Sequence, residues 1–150
     1  MTEEFPANLI VPGHARATAL VLDEPLSLWG GLDPTDGRII EARHPQHGLR
    51  VSEQILVMAH GRGSSSASSV LVEAARLGTG PAGFILRNPD EILALGALVA
   101  AELYNLELPI AVLDPHSYAH IATGSALTIE RTSVRHTAVH QGPDSPSRQV

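Results

Sequence analysis

The sequence predicts a single mixed α/β domain with a β-rich first half. Three observations lead there. The chain has 150 residues, a length that suits one compact core. Short apolar runs broken by Gly and Pro come first, and from Gln54 onward apolar runs alternate with helical patterns. Hydrophobic residues make up 43% of the chain but aromatics only 3%, so the core is aliphatic.

Asn8 to Leu22 is rich in Leu, Ile and Val and is interrupted by Pro12-Gly13, which reads as two short strands or one bulged strand. Glu24 to Gly37 is dense in Gly, Pro and Asp and reads as an irregular loop. A short strand over Arg38 to Glu41 and a loop, His44-Pro-Gln-His-Gly48, follow. Gln54 to Met58 is a continuous apolar run, as in a strand buried on both faces. After His60-Gly-Arg-Gly-Ser-Ser-Ser66 a helix runs to about Leu77, with Val70, Ala74 and Leu77 on one face and Gly78 as its stop. Ala82 to Leu86 reads as a strand, and Asp90 as the N-cap of an apolar segment, Glu91 to Tyr104, that forms one buried helix or two short ones. Pro109 to Leu113 and Ala126 to Glu130 are the last predicted strands. Residues 131–150 lack apolar periodicity and are expected to be mostly a disordered tail, leaving 1–130 as the domain.

Composition excludes several functions. The net charge is −6 with only ten cations spread along the chain, which argues against nucleic acid. All ten are Arg, so a Schiff-base lysine and a P-loop lysine are both missing. There is no Cys, so thiol chemistry and cysteine-ligated zinc or iron–sulfur clusters are excluded within this chain. No apolar run has the roughly 18 residues that cross a bilayer, and the acidic start, Met1-Thr-Glu-Glu-Phe5, lacks a signal pattern. A cytoplasmic location and no membrane partner are the resulting expectations.

The junction Gly61-Arg-Gly-Ser-Ser-Ser66 carries the chemistry. Glycines let a ligand approach the backbone, and the first N–H groups of a helix are unpaired and partly positive. Such a junction favours a carboxylate, a phosphate or a developing oxyanion. The dinucleotide fingerprint needs Gly where Ser66 stands, and the hydrolase elbow needs Gly where Arg62 precedes Ser64. The plainer alternative is that Ser64 to Ser66 only cap a helix.

This element resembles the Gly-x-Gly-Ser-Ser segment of the aconitase superfamily's swivelling domain, and more closely that of aconitase X. The resemblance extends to Glu24-Pro-Leu-Ser-Leu-Trp-Gly-Gly-Leu-Asp33, His44 to Gly48 and Gly96 to Tyr104, in order, over roughly residues 8 to 130. It implies a three-layer β/β/α swivelling fold and a small subunit that dehydrates a small hydroxy acid together with a large subunit. It also implies that Ser64 is the catalytic base. Arg62, Gly63, Ser65 and Ser66 are then substrate-binding residues, as are Gly30 and Gly31 of the Trp29 turn. No cofactor is expected on this chain alone. The family's iron or iron–sulfur centre, a Lewis acid for the departing hydroxyl, belongs to the large subunit. The implied substrates are cis-3-hydroxy-L-proline, dehydrated to pyrroline-2-carboxylate, or mevalonate 5-phosphate. The arginine-only composition, typical of GC-rich bacterial codons, favours the former. Aconitase has an arginine two residues after its serine; Ser66 stands there here, so citrate is not the expected substrate. A non-catalytic anion-binding or regulatory module of the same fold is the competing reading.

Other residues admit two readings. Trp29 to Asp33 either lines the site or forms a turn with a core tryptophan. His44 and His47 are either ligands or proton carriers or surface-loop residues, and Pro45, which opposes a shared helical face, favours the surface loop. His116/His120 and His136/His140 have the i, i+4 spacing of helical metal ligands, but neither has an evident third ligand. Asp23 and Glu24 read as solvated or as supports of the next turn.

Overall fold

The computed structural model describes residues 2–139. Its elements are β1 (Thr2–Pro6), β2 (Asn8–Val11), β3 (Ala15–Val21), α1 (Leu28–Gly31), β4 (Leu32–Asp33), β5 (Arg38–Ile39), β6 (Ile55–Met58), α2 (Ala67–Leu77), β7 (Gly83–Leu86), α3 (Glu91–Tyr104), β8 (Ile110–Val112), α4 (Pro115–Ala119), β9 (Ala126–Ile129) and β10 (Ser133–Thr137). The long sheet has eight strands in the order β1-β10-β9-β3-β6-β7-β8-β2, and β4 and β5 pair separately.

Strand β3 joins two layers. Its first half, Ala15 to Thr18, pairs antiparallel with β9, while Ala19 to Val21 pair parallel with β6. The parallel strands β6, β7 and β8 therefore have cover on both faces. Leu56, Met58, Phe84 and Leu86 pack with Leu71, Ala74, Leu93 and Ala97 of α2 and α3. The alternate residues Ile55, Val57 and Ile85 pack with Leu127, Ile129 and Val134 of β9 and β10. Every residue of β6 and β7 is buried, which is why those runs carry no polar alternation. The result is helices, parallel strands and antiparallel strands in three layers, the mixed α/β arrangement expected.

Three elements differ from expectation. Residues 131–150 do not all lie outside the domain, because Ser133–Thr137 form β10 between β9 and β1. Ser133, Val134 and His136 are buried and Arg135 is exposed, so two of the three buried positions are polar and the pattern is masked in sequence. The tail from residue 140 lies outside the described residues. Helix α2 buries Ala67, Leu71 and Ala74, whereas Leu77 is 42% exposed at the last turn. Helix α3 is one helix, and it is buried on one face only. Leu95 (57%) and Leu103 (63%) face outward. Gly96 allows the close crossing of α2, since a Cβ there would stand 3.0 Å from the Ser68 carbonyl.

Candidate active site

The Ser64 loop lies at the carboxyl end of β6, where parallel strands place ligand sites. It is fixed from behind at three points. The Gly61 N–H donates to Asp90 Oδ2 (2.9 Å), and the Arg62 N–H donates to the Leu26 carbonyl (3.3 Å). Gly63 has φ +103°, and a Cβ on it would stand 2.2 Å from Ser27 Oγ. Glycine is thus required there by backbone conformation and by the neighbouring turn together.

Ser64, Ser65 and Ser66 are all exposed. Ser66 occupies the N-cap of α2, but its side chain accepts no helix N–H. Instead the Ser66 N–H donates to Ser64 Oγ (3.3 Å), and the Ala67 N–H donates to the Ser64 carbonyl. The N–H groups of Ser64 and Ser65 make no hydrogen bond among the described residues. The loop therefore presents free donors beside a hydroxyl that already receives one, an arrangement that can bind an anion or stabilise a developing alkoxide. None of the three serine hydroxyls accepts an N–H of α2, whose first donors are held by the carbonyls of Ser64 to Ser66.

A cavity of about 60 Å³ opens beside Ser64, lined by Leu26, Arg62, Gly63, Asp90 and Leu93 among others. Asp90 is committed to structure: besides Gly61 it accepts the N–H groups of Ile92 and Leu93. Arg62 is not directed at Ser64 in isolation. Its Nη2 meets Glu41 Oε1 at 2.5 Å, and Glu41 comes from the chain just after β5. This pairing joins residues 21 apart and carries no local sequence pattern.

The Trp29 turn stands next to the loop through Ser27, which touches Gly63 and donates to the Trp29 carbonyl. Trp29 is 60% exposed, so it is not a core residue. Gly30 has φ +77° and faces open space, whereas Gly31 is packed against Leu26. Neither glycine lines the cavity. Asp33 closes the turn by accepting the Thr35 hydroxyl and N–H, which hold its carboxyl below the ordinary value.

His44 is buried, contrary to the surface reading. Its Nδ1 accepts the Gln46 N–H, so its Nε2–H donates to the Glu24 carbonyl at 2.9 Å. With Gln46 bonded to Asp23, this ties the 44–48 loop to the chain before α1, so Asp23 and Glu24 do support that turn. His47 is exposed. His116 and His120 meet edge to face at the end of α4, with His120 Nδ1 on the His116 carbonyl. His136 is buried in β10 against Ser125, not on a helix, and His140 lies outside the described residues. Among the described residues no three His, Asp or Glu side chains converge as a metal site.

Comparison with known proteins gives a consistent picture. The family described as Aconitase X swivel domain matches residues 4–137. A cis-3-hydroxy-L-proline dehydratase of Pseudomonas aeruginosa is 46% identical over 112 residues, which are 71% of this chain but only 19% of that protein. A phosphomevalonate dehydratase small subunit of Methanothermobacter thermautotrophicus is 39% identical over 65% of this chain and 74% of its own length. A crystal structure of Thermococcus kodakaraensis aconitase X superposes with a TM-score of 0.81 at 24% identity, covering 91% of this chain and 99% of that one, a likeness of fold. From a match over nearly all the described residues, this chain belongs to the aconitase X swivel domain family.

Proposed function

We propose that this chain is the small subunit of a two-subunit aconitase X-type hydro-lyase. Its substrate is cis-3-hydroxy-L-proline, dehydrated to pyrroline-2-carboxylate, and Ser64 is the base. The names of the relatives support a dehydratase. The observation that carries the division of labour is the incomplete site. Ser64 and the free N–H groups around it are exposed beside a cavity of only about 60 Å³, while small-molecule sites usually enclose roughly 300–1,000 Å³. In this reading the large subunit supplies the remaining wall. Exposed Trp29 and Ile40, which flank Ser27 and Glu41 beside the loop, and Leu95, Leu98 and Leu103 on α3, offer apolar surface for that partner.

In this reading Ser64 Oγ takes the proton beside the substrate carboxylate. The Ser66 N–H, which donates to Ser64 Oγ, stabilises the alkoxide that takes this proton and becomes the hydroxyl. Arg62, Ser65 and Ser66 hold the carboxylate. An iron or iron–sulfur centre finds no ligand set among this chain's described residues and no cysteine anywhere in it. We therefore assign that centre to the large subunit. A second reading, mevalonate 5-phosphate dehydration, draws on the archaeal relatives, which are separate small subunits of similar size.

The test is reconstitution with the large subunit and assay of both substrates. Ser64→Ala is expected to lower turnover by about 10²–10⁴-fold, the usual range for a positioned acid or base, while assembly is unchanged. Near-normal turnover in that variant overturns the assigned base. A chain that binds small anions at the loop but associates with no larger iron protein is the non-catalytic module instead.

A further inference from the structure

We propose that Glu41 is the positioning and selectivity residue of this site: it holds Arg62 at the mouth of the Ser64 cavity, and its charge makes Arg62 read a carboxylate in preference to a phosphate. The inference rests on the reading of the Ser64 loop as the substrate-binding site.

The pairing is built, not incidental. Glu41 is fixed on both sides, because the Ile40 N–H donates to the Gly31 carbonyl and the Glu41 carbonyl accepts the His44 N–H. His44 is itself buried and bonded, so the backbone that carries Glu41 has little freedom. The carboxylate meets Arg62 with Oε1 alone. Its Oε2 is closed off from solvent and receives no hydrogen bond. A desolvated carboxylate oxygen without a donor costs stability, and an apolar residue there would serve the fold better. What the pair achieves is the location of Arg62, which lines the cavity together with Gly63 and Ser64.

A guanidinium has five N–H donors in a rigid plane. Among the described residues, Glu41 is the only hydrogen-bond partner of the Arg62 side chain. The other edge is free for a planar two-oxygen acceptor. Charge then discriminates between acceptors. Glu41 and Asp90 are both at the cavity wall or its mouth, against the single cation Arg62. A carboxylate adds one negative charge there, whereas a phosphate adds about two and meets stronger repulsion.

The experiment uses the full chain and two probes, acetate and inorganic phosphate, followed by ¹⁵N shifts of Gly63 to Ser66. Glu41→Gln is expected to shift the ratio of the two dissociation constants toward phosphate by about tenfold, or about 1.4 kcal/mol. Glu41→Asp keeps the charge and should stay near wild type. A ratio unchanged within twofold in Glu41→Gln, or no anion binding in either form, overturns the proposal. In the reconstituted complex the same substitution should raise KM for cis-3-hydroxy-L-proline by more than it lowers kcat, and an equal loss confined to kcat contradicts it. If the wild-type complex does not turn over that substrate, the functional reading fails on its own, because the anion ratio is measured without turnover.

Discussion

Two adjacent strands of one parallel sheet pass into their helices in opposite ways. After β7 the chain is closed by Asp90, in the extended conformation, whose side chain accepts the N–H groups of Ile92 and Leu93. After β6 the N-cap Ser66 is already helical in backbone and accepts nothing with its side chain. One junction satisfies its helix donors with a side chain; the other satisfies them with the carbonyls of Ser64 to Ser66 and leaves the loop N–H groups of Ser64 and Ser65 free among the described residues. The closed junction also serves the open one, because Asp90 Oδ2 holds the Gly61 N–H. Local stability at one helix start thus fixes the geometry of a polar, exposed loop at its neighbour.

Substitution at Gly63 attacks this comparison hardest. Gly63→Ala must either leave φ +103° or push Ser27 away, since the new Cβ would stand 2.2 Å from Ser27 Oγ. The loop should move, and with it Ser64. Turnover of the reconstituted enzyme is expected to fall by about 10²-fold or more, because small displacements of reacting groups are that costly. Chemical denaturation should show a smaller loss, of about 1–3 kcal/mol. Wild-type turnover in Gly63→Ala means that the loop's conformation does not position the base.

Asp90→Ala comes next. It removes the cap of α3 and the tether of Gly61 in one step. The expected loss is about 1–2 kcal/mol in denaturant unfolding, the upper part of the range for an N-cap. The Gly61 and Ser64 amide shifts should change with it. A loss of stability without any change in those shifts separates the two junctions and removes the support described above.

Asp114 tests whether capping by a carboxylate carries a pH signature. It opens α4 as Asp90 opens α3, and the Ser117 N–H, then its hydroxyl, hold its carboxyl below the ordinary value. Because the folded value lies below the unfolded one, the contribution is complete above about pH 4 and is lost as pH falls through the folded value. The melting difference between wild type and Asp114→Asn should therefore shrink on acidification through that window. A difference that stays constant shows that the ionised cap is not what stabilises α4.

How far these junctions could be read from sequence depends on the range of the interactions. The apolar runs of β6 and β7, the Gly-rich loop and the Asp90 cap are local patterns, and each was visible. Trp29 was ambiguous because an exposed tryptophan on a Gly-Gly turn and a core tryptophan have the same sequence. His44 was misread because Pro45 rightly indicates a loop but says nothing of burial; the loop folds under the chain at Glu24. β10 was missed because two of its buried residues, Ser133 and His136, are polar and show no apolar period. Glu41 had no local pattern at all, since its partner lies 21 residues further along the chain. What the sequence could not show is where one loop of the fold supplies a charge to another.

Ser66→Ala is the smallest expected effect and the sharpest check on the contrast. If Ser66 were an ordinary N-cap, its loss would cost about 1 kcal/mol. Its side chain accepts no helix N–H, so the structure predicts a change within about 0.5 kcal/mol, the range of surface substitutions. KM for the hydroxy acid should rise in the reconstituted complex if the hydroxyl holds the substrate carboxylate. A stability loss equal to that of Asp90→Ala contradicts the open junction and returns the serine cluster to a capping role. A change in KM alone places Ser66 with the substrate and leaves the fold of α2 to Leu71 and Ala74, which pack beneath it.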